Sequence, residues 1–226
     1  QELGADPGRL RIGVCDIAAD NSAIDPECVA AVRATADHLA ALGHDVVDAA
    51  PPQLGDEGFF AEMSGYFLTA YPVWVTQSVD DLGARTGTPA TADSVEAGTW
   101  ALAESGRLVD GLSFANAVEG MRVLSRRVQE WWSTGFDLLL TATIPELPPA
   151  LGQFGATPDN PLAGLLRATP VVANTIPFNI TGQPAISLPM AWSASGLPIG
   201  IQLVGAFGRD DQLVAVASQL EAAAPW

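Results

Sequence analysis

Side chains able to do covalent or proton-transfer chemistry are scarce in this chain. All ten basic residues are arginine and no lysine occurs. Any mechanism that needs a lysine nucleophile, base or Schiff base must therefore draw it from elsewhere. No G-x-S-x-G is present, so no nucleophile elbow is written into the sequence. The two cysteines are Cys15 and Cys28, without a C-x-x-C. Cys15 falls in an opening strand and reads as a small buried hydrophobe. Cys28 falls in the first turn of a helix, where the dipole is expected to lower its thiol pKa, yet nothing beside it suggests a catalytic role. His38 and His44 flank the end of that same helix and read as a helix-end cation and a surface residue. Two histidines without an H-E-x-x-H predict no metal site, and no cofactor is expected.

The acids are scattered, among them Asp48, Asp56, Asp110 and Asp137. Each defaults to a solvated or helix-starting role, because paired carboxylates need proximity that spacing alone does not supply. Asp80-Asp81 and Asp210-Asp211 read as first-turn or loop acids. The formal charge of −16 gives a field that repels phosphate, which argues against nucleic acid and anionic membrane as partners. No apolar run reaches the roughly 18 residues that a membrane-spanning helix needs. Two cysteines in a chain this long fit a reducing compartment, and a cytoplasmic location is expected. With 48% apolar residues, the chain has the composition of a folded domain rather than a disordered one. It opens on Gln1 rather than Met, which suggests a start inside a longer polypeptide.

The elements that must position these groups can be read from periodicity. Residues 10–15 form a short strand. Asp25-Pro26 caps a helix carrying Val29, Val32, Ala36, Leu39 and Leu42, which Gly43 closes. Residues 45–48 resume as a strand, and this strand–helix–strand unit over 10–48 favours a parallel pair. Its first joint lacks the glycine fingerprint of a dinucleotide site. Residues 57–133 read as mainly helical. A helix covers about 57–80, and Pro72 must kink it or start a new segment. A loop follows over 83–93, then a helix over 93–104, and Ser113 caps a third. Phe59, Phe60, Tyr66, Phe67, Tyr71 and Trp74, with Trp131 and Trp132, could wall an apolar pocket, although plain core packing is the simpler reading. Residues 136–141 are a buried strand, 142–160 a loop rich in proline that includes Pro158, and 184–189 a strand between prolines. Residues 199–204 are a further strand, and a final helix opens at Arg209 or Asp210.

The most distinctive stretch is Phe178-Asn179-Ile180-Thr181-Gly182-Gln183-Pro184-Ala185-Ile186-Ser187-Leu188-Pro189, followed by Gly196-Leu197-Pro198-Ile199-Gly200-Ile201-Gln202-Leu203-Val204-Gly205. It resembles the C-terminal part of the amidase signature family, which carries F-N-x-x-G-x-P-A-x-x-x-P and then G-L-P-x-G-x-Q-L-x-G. Residues 136–145 are similar to that family's D-x-L-x-x-P-T-x-P stretch, with Ala142 where the family usually has proline. Residues 11–14 with 43–47, and 209–213, match in order and spacing, so the resemblance covers nearly the whole chain. It is most similar to bacterial amidases of broad aliphatic or aryl amide type.

The resemblance implies an α/β fold, a mixed central β-sheet covered by helices, with residues 1–226 forming the C-terminal part of a single domain. Its segments would be the strand–helix–strand unit at 10–48, a helical region at 57–133 and a sheet-building segment at 136–226. It also implies hydrolysis of linear carboxylic amides through an acyl-serine intermediate. A Ser–cis-Ser–Lys triad would do this, the lysine taking a proton from the bridging serine. None of those three positions can be carried over, because the family places them in its N-terminal half and this chain has no lysine. The expected partners are a small amide substrate and that N-terminal half. Apolar surface left without it is expected to make the chain self-associate, into a homo-oligomer, or bind the missing piece. What this chain would contribute is a substrate wall: Thr143, Ile144, Pro145 and Phe178, and beside them Asn174 and Thr175. Two other readings remain at this point: an amidotransferase component of a tRNA-dependent complex, and a non-catalytic module that binds small molecules.

Overall fold

A computed structural model describes residues 4–157 and 159–226. The opening residues 1–3 and Pro158 of the proline-rich loop lie outside the described residues. The chain divides into two compact units. The first comprises Gln1–Phe60, Ser125–Pro149 and Pro170–Trp226, and the second Ala61–Leu124 and Ala150–Thr169.

The first unit is an α/β structure built on a mixed five-stranded sheet. In chain order its strands are β1 (Arg11–Val14), β2 (Asp45–Asp48), β3 (Leu138–Ala142), β4 (Ala185–Trp192) and β5 (Pro198–Gly205). Across the sheet the order is β2-β1-β3-β5-β4. β1 runs parallel to both β2 and β3, while β5 runs antiparallel to β3 and to β4. The helix α1 (Pro26–Ala41) joins β1 to β2. It starts where the sequence predicts: Asp25 accepts the Glu27 N–H at 2.8 Å and Pro26 takes the first position, where no donor is needed. It ends before Gly43, whose φ of +97° is the left-handed conformation that glycine adopts without a Cβ clash.

Alternation along the strands sorts the sheet into two faces. Ile12, Val14, Leu138, Leu140, Ile201 and Leu203 point to one face. There they meet Val32 and Leu39 of α1, and Leu213, Val216 and Leu220 of the closing helix, which runs Asp210–Ala223. The other face carries Gly13, Leu139, Thr141, Gln202 and Val204. Gly13 is needed where it stands, because a Cβ there would lie 2.7 Å from the Trp131 ring and 2.5 Å from the Ala49 carbonyl oxygen. Trp131 stacks on Phe136 at 4.2 Å, and the Arg11 guanidinium covers the other side of Phe136 at 4.6 Å.

The second unit holds most of α2 (Glu57–Thr86) and of α4 (Gly111–Gln129), and the whole of α3 (Ala97–Gly106). Glycines let these helices approach: a Cβ on Gly106 would sit 2.2 Å from the Pro72 carbonyl oxygen, and one on Gly120 would enter the Tyr66 ring. Tyr71 stacks on Phe67 at 5.0 Å, and Trp74 meets Phe114 edge-on at 6.1 Å. No helix among the described residues is long and apolar enough to cross a membrane.

Several local expectations change. Rather than starting a new segment at Pro72, α2 runs on through it and reaches Thr86, so the loop begins at Gly87 and Asp80 and Asp81 are mid-helix. Arg107 holds Asp80 in a paired contact at 2.6 and 3.1 Å and draws its carboxyl below the usual range. The cap of α4 is Asp110, not Ser113: its carboxylate accepts the Leu112 and Ser113 N–H groups at 2.9 Å and the Ser113 hydroxyl at 2.7 Å. Two short helices appear where sequence periodicity is silent, α5 (Ala163–Val171) and α6 (Ile176–Thr181), and the closing helix is α7. β4 runs past Pro189, because a register shift between Leu188 and Ala191 spares the ladder the donor that proline lacks.

Two ionisable groups also differ from expectation. His44 is buried rather than at the surface: its Nδ1 accepts the Leu10 N–H at 3.2 Å, and its Nε2 faces the Gln219 Oε1 at 2.9 Å. With Nδ1 accepting, the proton belongs on Nε2, which donates to Gln219. Cys28 has its thiol pushed up to about 11, first by burial and then by the carboxylates of Asp25, Glu27 and Glu146. Those effects overwhelm the helix dipole.

Leu140, fully buried in the core, is expected to cost about 2–5 kcal/mol on change to alanine. Leu112→Ala, at a position 72% exposed, should stay within about 0.5 kcal/mol, both changes being read by urea titration. Cys28 predicts a pH dependence. Below about 8.5, the ordinary thiol value, folded and unfolded chains both hold the proton. From there up to about 11 the unfolded chain loses it first, so stability falls as pH rises. Unfolding titrations from about pH 8 to about 11 should show a shallower fall in Cys28→Ala, and an identical fall would refute the assignment.

Candidate functional site

Where β3 ends, the backbone of Thr143 is still bound to β5, its N–H reaching the Gly200 carbonyl at 3.1 Å. One strand further along, the register sets Ser187 of β4 opposite Gln202 of β5. This brings the Thr143 and Ser187 hydroxyls within 2.7 Å of each other above Gly200. A Cβ on Gly200 would lie 2.8 Å from the Ser187 Oγ and 3.0 Å from the Thr143 Oγ1, so glycine is what leaves room for the pair. α6 faces this point, entered through Pro177 and closed by Gly182 at φ +69°.

Between α6 and the strands lies a recess of about 340 Å³. Phe178, Thr175 and Asn179 wall one side, and Thr143, Ser187 and Gln202 the other. Among the described residues, no charged side chain lines it. Behind it runs a chain of amide hydrogen bonds. Gln202 Nε2 donates to the Asn174 carbonyl at 3.1 Å, and Asn174 Nδ2 donates to the Ala142 carbonyl at 3.0 Å. The Asn174 Oδ1 accepts the Ala19 N–H at 3.0 Å. One residue thus pins the end of β3, the approach to α6 and the loop after β1. Burial makes that pinning effective, since each of these groups would be costly to leave unpaired.

The residues nominated from sequence divide accordingly. Thr143, Thr175 and Phe178 line the recess. Ile144 and Pro145 are outside the lining, and the Pro145 carbonyl accepts the Asp25 N–H at 2.8 Å, tying this loop to the start of α1. Asn174 is 2% exposed and belongs to the amide network instead. Ser187, Gln183 and Gln202 line the recess without having been singled out. The signal for Ser187 was its alternation with Ile186 and Leu188, which puts it on the opposite face from the core. Its pairing with Thr143 spans 44 residues and leaves no trace in local pattern.

A serine becomes a nucleophile when a base takes its proton. The partner of Ser187 here is another hydroxyl, and among the described residues no acid, histidine or arginine lines the recess. The arrangement can hold an uncharged group by hydrogen bonds, and it carries no nucleophile–base pair of its own. Both cysteines are buried and unpaired, with thiols pushed up by burial. They are inert by the same physics that makes exposed, electropositive thiols reactive. Of the aromatic residues, Tyr71 and Trp74 wall a separate open groove of about 390 Å³ in the second unit.

The 6-aminohexanoate-cyclic-dimer hydrolase of Pseudomonas sp. strain NK87 is 40% identical over 100% of this chain and 46% of its own length. The solved structure of a 6-aminohexanoate cyclic dimer hydrolase superposes with a TM-score of 0.89 at 40% identity, covering 100% of this chain and 47% of that one. A glutamyl-tRNA(Gln) amidotransferase subunit from Synechococcus sp. strain CC9311 is 33% identical over 98% of this chain and 47% of its own. This chain thus spans about half the length of the curated relatives it matches. The sequence profile of the Amidase family matches residues 1–214. By that match over nearly its full length, and by the sheet and helices it shares with a solved relative, the chain belongs to the amidase family.

Proposed function

We propose that this chain is the framework and substrate wall, the C-terminal part, of an enzyme that hydrolyses carboxylic amides to an acid and ammonia or an amine. The observation that carries this reading is the 40% identity, over the whole chain, to a hydrolase of a cyclic dimer. The chemistry passes through an acyl-serine intermediate. The nucleophilic serine, the bridging serine and the lysine stand in other polypeptide, which the absence of lysine and the base-free setting of Ser187 support. The 10–48, 57–133 and 136–226 segments join that polypeptide in one catalytic domain. The substrate is an uncharged amide, linear or cyclic, resting against Thr143 and Phe178 in the recess, which Ile144 and Pro145 do not line. No cofactor, nucleic acid or membrane takes part, and two buried unpaired cysteines suit the cytoplasm.

A second reading, as one component of a tRNA-dependent amidotransferase, is favoured by the 33% identity to the Synechococcus protein over 98% of this chain. In that case the charge of −16 leaves tRNA to a different component of the complex, and co-purification with such partners would distinguish the two.

Incubated with linear and cyclic amides, the isolated chain is expected to release no ammonia or amine. Mixed with, or fused to, the lysine-bearing N-terminal portion of an amidase, it should support turnover. Robust hydrolysis by the isolated chain would overturn the proposed division of labour. Trp192 and Phe207 stand 64% and 68% exposed, so light scattering of the isolated chain should find self-association, and a well-behaved monomer would contradict it.

A further inference from the structure

We infer that Asn174 is a positioning residue for amide hydrolysis, a role that rests on the amide-hydrolase reading: its side chain fixes the substrate wall made by Thr143 and Phe178. Asn174 does not line the recess and acts through these two residues, which do.

The sheet topology gives this side chain its leverage. β1 and β3 are parallel neighbours. From its carboxyl end β1 sends the chain through α1 to β2 on one side, while β3 leads on to β4 and β5 on the other. Open α/β sheets form a crevice at such a reversal, and ligands bind there. Here an amide of the chain itself bridges the two strand ends. The Asn174 Nδ2 donates to the carbonyl of Ala142, the last residue of β3, at 3.0 Å. Its Oδ1 accepts the N–H of Ala19, in the loop after β1, at 3.0 Å. A flipped amide would set oxygen against oxygen and donor against donor, so the orientation is fixed. At 2% exposure both bonds are shielded from water.

Both bonds bear on the wall. Thr143 directly follows Ala142, and Asn174 leads into α6, which carries Phe178. Without the side chain, the end of β3 and the approach to α6 lose their common tie, and the gap between Thr143 and Phe178 is no longer held. These two residues meet the substrate alike before and during reaction, whereas nucleophile and base stand in other polypeptide. A displaced wall therefore weakens binding without slowing conversion of what is bound: KM rises and kcat holds.

Asn174→Asp adds a signature that mere space filling lacks. A protonated carboxyl keeps one donor and one acceptor, so it can replace both bonds. Ionised, it sets an oxygen against the Ala142 carbonyl oxygen. Burial raises the pKa of such a group above its ordinary value of about 3.9. The tie thus holds at low pH and fails as pH rises through that raised value.

The test is steady-state kinetics of the amidase that joins this chain to its lysine-bearing portion, with hexanamide and the 6-aminohexanoate cyclic dimer as probes. Asn174→Ala is expected to raise KM by roughly fivefold or more, with kcat within about twofold. Leu220→Ala, a fully buried residue of α7 on the other face of the sheet, should lower stability and leave KM unchanged. The KM of Asn174→Asp, divided by that of the wild type at each pH, should climb severalfold from about pH 5 to about pH 8. Should Asn174→Ala not fold, this pH dependence decides alone. A KM for Asn174→Ala no higher than that of Leu220→Ala, or a ratio for Asn174→Asp that stays flat with pH, would overturn the role of Asn174. If the wild type still hydrolyses a probe in that event, only this role falls. Hydrolysis of neither probe by the wild type would remove the reading beneath it.

Discussion

β3 is buried on both faces, and the rest of the first unit depends on that burial. Leu138, Leu139 and Leu140 are each 0% exposed. A strand so placed cannot leave its backbone to water, so both its edges must be paired. β1 takes one edge and β5 the other, which sets the order of the sheet. The apolar run also sets the register. A slip of one residue would turn every side chain to the opposite face and carry Thr143 away from Ser187. The position of the hydroxyl pair is thus a consequence of how three consecutive leucines are buried.

The recess exists because polar groups on the second face of the sheet are paired with one another. Gln202 is 4% exposed in a sheet otherwise packed with leucine, isoleucine and valine. A buried amide of that kind is costly unless it is bonded, and it is bonded to the backbone of Asn174. Asn174 in turn joins the end of β3 to the loop that follows β1. Both amides are bonded to backbone groups. They hold three chain segments in register, so that α6 presents Phe178 to the hydroxyl pair across a gap instead of collapsing onto it.

The acids that the chain does carry are bound to structural ends: Asp25 and Asp110 cap helices, Asp137 exchanges hydrogen bonds with the backbone of Arg11, and Asp80 holds Arg107.

Much of the first unit was legible in the residues. Asp25-Pro26, Gly43 and the apolar spacing of α1 marked the strand–helix–strand unit, because caps and periodicity are local signals. The 178–205 stretch carried the family resemblance. α5, α6 and the true lengths of α2 and β4 were not legible, since tertiary packing carries a helix through Pro72 and a bulge carries a strand past Pro189. The same limit hid Ser187 and the burial of His44: each owes its role to a partner distant in the chain, at Thr143 and Gln219. By itself the sequence determined the family, the framework elements and the want of a lysine, because each of these is a property of residue type and near spacing. Only the tertiary structure decided which side chains share the recess, because strand register, set by burial, brings together residues that no local pattern connects.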